Sequence, residues 1–271
     1  MLRIAACLAV VASLFALIAA RPAAAPAPTY ENLNAVLWMQ TAVEYKANAI
    51  ETYRAGEAAL LRGLRNPHWT GELEQTGNFA NLPPAVVLDL DETVLDDSAF
   101  EAQLVATGAP WTHEAWVAWM NGETAGVEPG AMDFLEFASA HRVAPIYITN
   151  RQCDPTKADD PTVVVLHKLK LPLATGPDWL LCEQPGAGSD KTARRVEAAR
   201  HYRVLLLFGD QLGDFLTIPK DSANLAGREK LFEDHQAMWG DRWFQLANPM
   251  YGSWEGAMGY TVAEKLPYLR Q

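Results

Sequence analysis

Hydrophobic residues recur along the chain in two patterns, one typical of helices and one typical of buried strands. Over residues 31–65 they recur at spacings of three and four, which predicts one helix that ends at Asn66-Pro67. We expect this helix to pack outside the core because it precedes every predicted strand. Further along, short runs of aliphatic and aromatic residues predict strands buried on both faces. These strands cover residues 85–90, 144–148, 179–182, 204–208 and 243–247.

Between these strands the spacing of apolar residues predicts helices over residues of about 129–142, 156–169 and 190–201. Alternating strands and helices predict an α/β fold, with a parallel sheet covered by helices on both sides. Residues 97–128 do not fit the alternation, because they are too long for an ordinary connection after the first strand. An insertion at that place is positioned to cover a site at the carboxyl end of the strand.

The insertion contains Trp111, Trp116 and Trp119, three of the nine tryptophans of the chain. We divide the chain accordingly into a core over residues 83–96 and 129–250 and cap elements over residues 30–66 and 97–128. The cap is expected to be mainly helical.

The first residues of the chain differ from the rest. Arg3 is the only charge before an apolar run over residues 4–20, and a Pro/Ala-rich stretch follows to residue 28. This order is typical of a secretory leader. A retained membrane anchor is the alternative, since about 17 apolar residues is the lower limit for a transmembrane helix. We predict a signal peptide and linker over residues 1–28 and one domain over residues 29–271, in the periplasm or secreted.

Most of the apolar run follows Cys7, whereas a lipid-acceptor cysteine comes after such a run, so a lipid anchor is not expected. Any membrane contact would be made through an uncleaved leader alone. Cys153 and Cys182 then remain in an oxidising compartment, where they could form a disulfide or stay as two separate buried thiols.

With 33 Asp and Glu against 22 Lys and Arg, the chain has a net charge of −11. This acidic balance argues against a protein that binds nucleic-acid polymers, although a small nucleotide is not excluded. The 49% of hydrophobic residues is typical of a folded globular protein. The composition leaves the oligomeric state open.

Polar residues follow three of the predicted strands at their carboxyl ends, where open parallel sheets bind their ligands. These residues are Asp89, Asp91, Thr149, Asp210 and Asp214. Four neighbouring carboxylates repel one another unless a cation compensates, and Mg²⁺ prefers such ligands together with a substrate phosphate. Lys191 adds a positive charge at the predicted start of a helix, where the helix terminus favours anions.

Each of these residues alone is weak evidence. Asp-x-Asp turns are common, Thr149 could merely end a strand, and Lys191 could be one more surface charge. Their order along the chain and their positions at strand ends are together far more specific. The set predicts a phosphate site with a bound Mg²⁺.

The chain resembles the haloacid dehalogenase-like phosphatases, which have a Rossmann-like core. Residues 89–96 (Asp-Leu-Asp-Glu-Thr-Val-Leu-Asp) match their first motif, and Thr149, Lys191 and the pair Asp210 and Asp214 match the next three in order. A closer resemblance, from about residue 30 to the end, is to the class C bacterial acid phosphatases, also described as the 5′-nucleotidase lipoprotein family. It rests on residues 35–38, 88–93, 147–151 and 248–255.

This sequence departs from the family pattern at two places. Asp97 stands where the family usually has Asn, which adds a negative charge near the site. The lipid-acceptor cysteine is missing from its expected position, which puts surface anchoring in doubt.

The resemblance implies that Asp89 attacks phosphorus and forms an aspartyl-phosphate. Asp91 would protonate the leaving alkoxide and later activate the hydrolytic water. Mg²⁺ would be held by the Asp89 carboxylate, the Asp91 backbone carbonyl and Asp210, with Asp214 in or just outside the first shell. Thr149, Asn150 and Lys191 would bind the phosphate. An alkoxide leaving group needs an acid and a halide does not, so Asp91 favours phosphoryl transfer over dehalogenation.

By the same resemblance, Trp116 and Tyr251 would stack on a nucleobase or another aromatic leaving group. The alternative is that these aromatic residues only pack the cap against the core. We therefore predict an exported, Mg²⁺-dependent acid phosphatase for small phosphomonoesters, above all nucleoside monophosphates. The competing hypothesis is an exported nucleotide- or haem-binding protein on a disabled phosphatase fold. Loss of Asp89 or Lys191 would indicate that alternative, and both are present.

Overall fold

The computed structural model describes residues 31–176 and 178–270. The predicted leader and Cys7 lie outside the described residues. Among the described residues, no helix combines the length and the apolar character needed to cross a bilayer.

A five-stranded parallel sheet forms the centre of the molecule, in the strand order β5-β4-β1-β6-β7. A two-stranded antiparallel ribbon of β2 and β3 lies apart from it. The strands are β1 (Pro84–Leu88), β2 (Leu95–Asp96), β3 (Gly126–Val127), β4 (Ala144–Ile148), β5 (Leu180–Leu181), β6 (Arg203–Gly209) and β7 (Trp243–Gln245). All five predicted strands are present, with ends that differ from the predicted ones by at most two residues.

The helices connect these strands and cover the sheet. They are α1 (Leu33–Thr41), α2 (Val43–Arg65), α3 (Ser98–Thr107), α4 (His113–Met120), α5 (Ala131–Ala140), α6 (Pro161–Lys168), α7 (Thr192–His201), α8 (Leu225–Asp234), α9 (Ser253–Gly256) and α10 (Val262–Lys265). The predicted helix over 156–169 begins only at Pro161, because the Asp160 side chain caps it by accepting from the backbone of Thr162 at 2.9 Å.

Alternate side chains of β1 enter two different hydrophobic clusters, as expected for a strand covered on both faces. Val86 and Leu88 pack with residues of α2, α5 and α6, whereas Ala85 and Val87 pack with Ala198 of α7. The predicted parallel α/β fold with helices on both sides of the sheet is therefore confirmed.

The prediction of one helix over residues 31–65 is wrong. The backbone is extended at Ala42, with φ −75° and ψ 128°, so the segment forms two helices. The shorter helix, α1, packs through Val36 and Met39 against Tyr45 and Met250, in a cluster separate from the sheet.

The prediction that this segment packs outside the core is also wrong for α2, which lies on the sheet. Tyr53 of α2 is buried and stacks on Phe208 of β6 with ring centroids 5.3 Å apart. Gly56 allows this approach, because a Cβ at that position would lie 2.4 Å from the Phe208 ring. The division of the chain into a core and a cap remains a prediction.

Candidate active site

The polar residues predicted at the strand ends meet at one edge of the sheet, because β4, β1 and β6 are neighbouring parallel strands. They face a cavity of about 1680 Å³ that is walled by α3, α4 and the C-terminal segment. Six predicted site residues of this edge line the cavity: Asp89, Asp91, Asn150, Lys191, Asp210 and Asp214. Thr149 is completely buried at the end of β4 and lies behind this lining.

One group of charges, the Lys191 cluster, consists of Asp89, Lys191, Asp210 and Asp214. Lys191 Nζ lies 2.5 Å from Asp89 Oδ1 and 2.6 Å from Asp214 Oδ1. The three aspartates place carboxylate oxygens within 4.8 Å of one another, and all three are buried. Three carboxylates around one ammonium group leave the cluster short of positive charge.

Burial and the neighbouring carboxylates govern the ionisation of this cluster. Burial raises the pKa of Asp89 well above its ordinary value, Asp214 and Asp210 add to the rise, and Lys191 opposes it. For the same reasons, burial first and Asp214 second, the pKa of Asp210 rises to about 6. The cluster is therefore a place where added positive charge is strongly favoured.

Hydrogen bonds fix the two aspartates that follow β6. Asp210 Oδ2 accepts from Gln211 Nε2 and from Asn248 Nδ2, both at 2.8 Å. Asp214 Oδ2 accepts from the Gln211 backbone at 2.8 Å. Gly209 leaves room for the Asp214 side chain to fold back over the strand end, because a Cβ on Gly209 would lie 2.3 Å from Asp214 Cβ.

A second group, the Arg151 cluster, consists of Asp91, Asp97 and Arg151. The Arg151 guanidinium donates from Nε to Asp91 Oδ1 at 2.6 Å and from Nη2 to Asp97 Oδ2 at 2.8 Å. Asp97 lies beside the site and accepts from Arg151, but burial raises the pKa of its carboxyl group well above the ordinary value and Arg151 only opposes that rise. Although burial raises the pKa of Asp91, the Arg151 guanidinium brings it below its ordinary value. Sequence reasoning quoted Arg151 within a motif but gave it no role.

Covalent and backbone contacts hold the loop that carries Arg151. Cys153 forms a disulfide with Cys182 at the end of β5, which settles the alternative left open by the sequence. The Arg151 backbone N–H donates to Thr149 Oγ1 at 3.0 Å, and its carbonyl accepts from Glu183 N at 3.1 Å. The loop after β4 is thus tied to the neighbouring strand.

Arg194 is a further residue of the site that sequence reasoning missed. Its guanidinium donates to the Thr149 carbonyl and, at 2.6 Å, to Asn150 Oδ1. The signal was available, because Arg194 follows Lys191 by three residues and therefore shares its side of α7. Arg194 joins the loop after β4 to the helix that carries Lys191.

The predicted stacking residues both line the cavity, but their surroundings differ. Trp116 is engaged by the protein itself: Trp119 stacks on it at 5.4 Å, Phe100 meets it edge-on, and Arg151 lies over its ring at 5.4 Å. These contacts match the packing alternative for Trp116. Tyr251 packs at the edge of the small cluster formed by α1 and Met250. Stacking on a substrate stays a prediction for both residues.

A parallel α/β sheet whose strand ends gather carboxylates, a lysine and a helix start defines a phosphoryl-transfer enzyme. Comparison with known families agrees, since the model for the acid phosphatases of HAD superfamily subfamily IIIB matches residues 16–254. The chain is also 32% identical to the class C acid phosphatase from Bacillus anthracis with tungstate bound. That match covers 89% of this chain and 98% of the other, with a TM-score of 0.74.

A second structure of the class C acid phosphatase from Bacillus anthracis is equally similar, at 32% identity. It covers 88% of this chain and 94% of the other, with a TM-score of 0.73. The chain belongs to the subfamily IIIB acid phosphatases of the haloacid dehalogenase-like superfamily. It is accordingly a phosphomonoesterase, as the family and the similar structures indicate.

Proposed function

We propose that this protein is an exported, Mg²⁺-dependent acid phosphatase that hydrolyses phosphomonoesters, with nucleoside monophosphates as preferred substrates. One observation carries the proposal. Asp89, Asp210 and Asp214 place their carboxylate oxygens within 4.8 Å of one another around the single ammonium group of Lys191, at the wall of the large cavity.

The residues present fit a divalent cation. Their donors are all hard oxygens, and three carboxylates against one lysine leave two uncompensated negative charges. Burial raises the pKa values of Asp89 and Asp210, and the neighbouring carboxylates add to the rise. The carboxylates of Asp89 and Asp210 and the backbone carbonyl of Asp91 would hold Mg²⁺, with Asp214 beside them. When bound, Mg²⁺ supplies positive charge that stabilises the oxygens of the transferring phosphoryl group.

Asp89 acts as the nucleophile. Its carboxylate oxygen attacks phosphorus, the bond between phosphorus and the ester oxygen breaks, and an aspartyl-phosphate forms. Lys191 orients the attacking carboxylate through its contact with Asp89 Oδ1 at 2.5 Å. Thr149 Oγ1 accepts from the Arg151 backbone, which leaves its own proton free to donate towards a phosphate oxygen.

Asp91 moves the protons. It donates one to the leaving alkoxide oxygen and then accepts one from the water that hydrolyses the aspartyl-phosphate. Arg151 fixes the Asp91 carboxylate and keeps it ionised before substrate binds. The negative charge of an incoming phosphate raises the pKa of Asp91 and so favours the protonated form that the first step needs.

Two further observations support parts of the proposal. The similar Bacillus anthracis structure has tungstate bound, and tungstate is an oxyanion with the tetrahedral shape of phosphate. The disulfide between Cys153 and Cys182 is typical of an oxidising compartment and agrees with the predicted leader. The aromatic side chains of Trp116, Tyr251 and Trp254 line the cavity and suit a flat leaving group.

The test is hydrolysis of p-nitrophenyl phosphate from acidic to neutral pH, with Mg²⁺ and with EDTA. We expect phosphate release with Mg²⁺, loss of release with EDTA and recovery when Mg²⁺ is added back. Asp89→Asn is the matched control and should be inactive under every condition. Absence of metal-dependent release at any pH would favour the nucleotide- or haem-binding alternative.

The substrate preference has its own test. A panel of nucleoside monophosphates, sugar phosphates and aryl phosphates should give the largest kcat/KM for the nucleotides. Trp116→Ala should reduce nucleotide turnover more than turnover of a small aliphatic phosphate. Equal losses for both substrates would show that Trp116 only packs the cap.

A further inference from the structure

A buried carboxylate lies in the active-site cavity without any role in the proposed chemistry. Glu101 belongs to the first turn of α3, lines the cavity and is only 8% exposed. Asn32, at the start of α1, lines the cavity beside it. The strand-end carboxylates belong to β1 and β6, whereas Glu101 belongs to the insertion that covers them.

Glu101 is only partly satisfied by the protein. Its Oε2 accepts from Asn32 Nδ2 at 3.1 Å, and among the described residues Oε1 has no hydrogen-bond partner. No Lys, Arg or His of that part of the chain lies within 4.0 Å of the carboxylate, so no ion pair compensates it. The nearby Lys265 is engaged elsewhere, by Glu255 and, at 3.8 Å, by Glu31.

A largely buried carboxylate without an ionic partner is costly to a folded protein. Burial accordingly raises the pKa of Glu101 to about 7, Asn32 acts in the opposite sense, and the charge of Glu255 adds to the rise. A cation or a strong hydrogen-bond donor in front of Oε1 would remove that cost. Because Glu101 lines the cavity, a ligand in the cavity can approach its carboxylate.

The charge of the whole cavity points to the same kind of ligand. Eleven aspartates and glutamates line it, against three lysines and arginines. The Lys191 cluster would be neutralised by its metal and the substrate phosphate adds negative charge, so the remainder of the wall stays acidic. Such a wall repels a second anionic group on the substrate and attracts a positive one.

We propose that Glu101, oriented by Asn32, forms a subsite for an ammonium group on the leaving group of the phosphomonoester. The proposal rests on the phosphomonoesterase function given above and adds a substrate class to it. Among phosphomonoesters with leaving groups of the same size, the subsite favours those that carry an amine at the end remote from the phosphate. Esters with a second anionic group are poor substrates. The aromatic residues of the cavity wall accommodate the apolar part between the two ends.

The test uses aryl phosphates of matched size that differ only in a para substituent: an aminoalkyl arm, a neutral alkyl arm or a carboxyalkyl arm. Each arm is made in a short and a long form, so that the reach to Glu101 is sampled. The full-length protein is assayed with Mg²⁺ at a fixed pH above the raised pKa of Glu101. Values of kcat/KM are compared for the parent protein and for Glu101→Gln, which keeps the size of the side chain and its acceptor for Asn32.

We expect the parent protein to prefer the ammonium ester over the carboxylate ester by roughly tenfold, the worth of one charge-assisted contact. In Glu101→Gln that preference should fall to about threefold or less, since half or more of its free energy is then lost. Turnover of p-nitrophenyl phosphate, which has no arm, should stay unchanged. Glu136→Gln, an exposed substitution on α5 outside the cavity, controls for the loss of one negative charge. It should leave the preference intact.

Two results would overturn the subsite: equal kcat/KM for the three arms in the parent protein, or an unchanged preference in Glu101→Gln. Both can occur while p-nitrophenyl phosphate is still hydrolysed, so they are distinct from failure of the proposed function. Calorimetric binding of the same esters to inactive Asp89→Asn gives a readout that does not depend on turnover. There, too, the ammonium ester should bind most tightly, and Glu101→Gln in that background should remove the difference.

Discussion

The two ion clusters at the edge of the sheet differ in the charge that remains after pairing. The Lys191 cluster has three carboxylates and one ammonium group, whereas the Arg151 cluster has two carboxylates and one guanidinium. Only the first leaves the two negative charges that a divalent cation neutralises. Asp89 and Asp91 stand two residues apart in one turn, yet the pKa of Asp89 is raised and that of Asp91 is lowered.

This difference shows how two aspartates in one short turn, Asp89 and Asp91, can differ in their chemistry. Asp89 lies in the Lys191 cluster, where one ammonium group does not neutralise three carboxylates. In the proposed mechanism it can therefore bind a metal and also form a bond to phosphorus. The carboxylate near Arg151 is held in place by a rigid, planar cation that offers several donors. In the proposed mechanism, the partner of each aspartate, rather than the aspartate itself, distinguishes the nucleophile from the residue that moves protons.

The strongest way to break the comparison is Asp91→Asn. We expect kcat for p-nitrophenyl phosphate to fall by about 10²–10⁴, the usual contribution of general acid–base catalysis. Mg²⁺ affinity, measured by calorimetry, should not change, because Asp91 would offer only its backbone carbonyl to the metal. Full activity of the variant would refute the assignment of the proton to Asp91.

The disulfide distinguishes the two clusters, because it anchors the loop that carries Arg151 and does not include a residue of the Lys191 cluster. Replacing Cys153 and Cys182 by Ser should lower the free energy of unfolding by about 3 kcal/mol, as denaturant titration would show. At a low temperature where the double variant remains folded, its kcat should be lower than that of the parent protein, whereas its Mg²⁺ affinity should be the same. An equal loss in both quantities would mean that the disulfide supports the whole edge of the sheet.

Matched charge changes in the two clusters sharpen the comparison further. Asp210→Asn should weaken Mg²⁺ binding by more than the roughly tenfold typical of losing an outer-shell partner. Asp97→Asn removes the same charge from the Arg151 cluster and should leave Mg²⁺ binding within about twofold of the parent protein, because it is not a ligand. Equal effects in calorimetry would show that total charge, not position, controls the metal.

The last prediction concerns the pH dependence of stability and rests on Glu128, a carboxylate outside the two clusters that is 1% exposed and accepts from the Tyr45 hydroxyl. Burial raises its pKa from 4.5 to about 8, and Tyr45 only partly opposes the rise. The folded protein then binds more protons than the unfolded chain between these two pH values. This contribution to stability is complete below pH 4.5 and is lost as the pH rises through about 8.

Glu128→Gln cannot ionise and should remove that dependence. The free energy of unfolding of the parent protein should fall relative to the variant by up to about 1.4 kcal/mol per pH unit within the window. Denaturant titrations at several pH values measure the slope. Parallel slopes for the two proteins would show that Glu128 stays ionised throughout.

Local patterns predicted the sheet and the members of the Lys191 cluster. Buried parallel strands are short continuous apolar runs, and the residues that follow them must meet at one edge. The disposition of α2 was not predictable in this way, because it depends on Gly56 meeting Phe208 from a distant strand. Arg151 was missed for the same reason, because its role arises from contacts with carboxylates far away in sequence. Arg194 was missed although its spacing from Lys191 placed it on the side of the helix that faces the site.

The break at Ala42 escaped prediction for a different reason. Alanine favours helices and the apolar spacing continues across it, so nothing local marks an end. The packing of α1 against Met250 is a tertiary contact that overrides this helix propensity. No local pattern predicted the burial of Glu101 either, because Glu101 lies next to α1 and the C-terminal segment, which are distant in sequence.

The close approach between Gly209 and the Asp214 side chain has a consequence for how this protein can evolve. Any other residue at position 209 would collide with Asp214, so the glycine cannot vary while that aspartate keeps its place. The two positions are therefore expected to vary together. Selection should remove variants in which only one of them is substituted. Where relatives differ at one of them, we expect a compensating change at the other, which a comparison of many related sequences would detect.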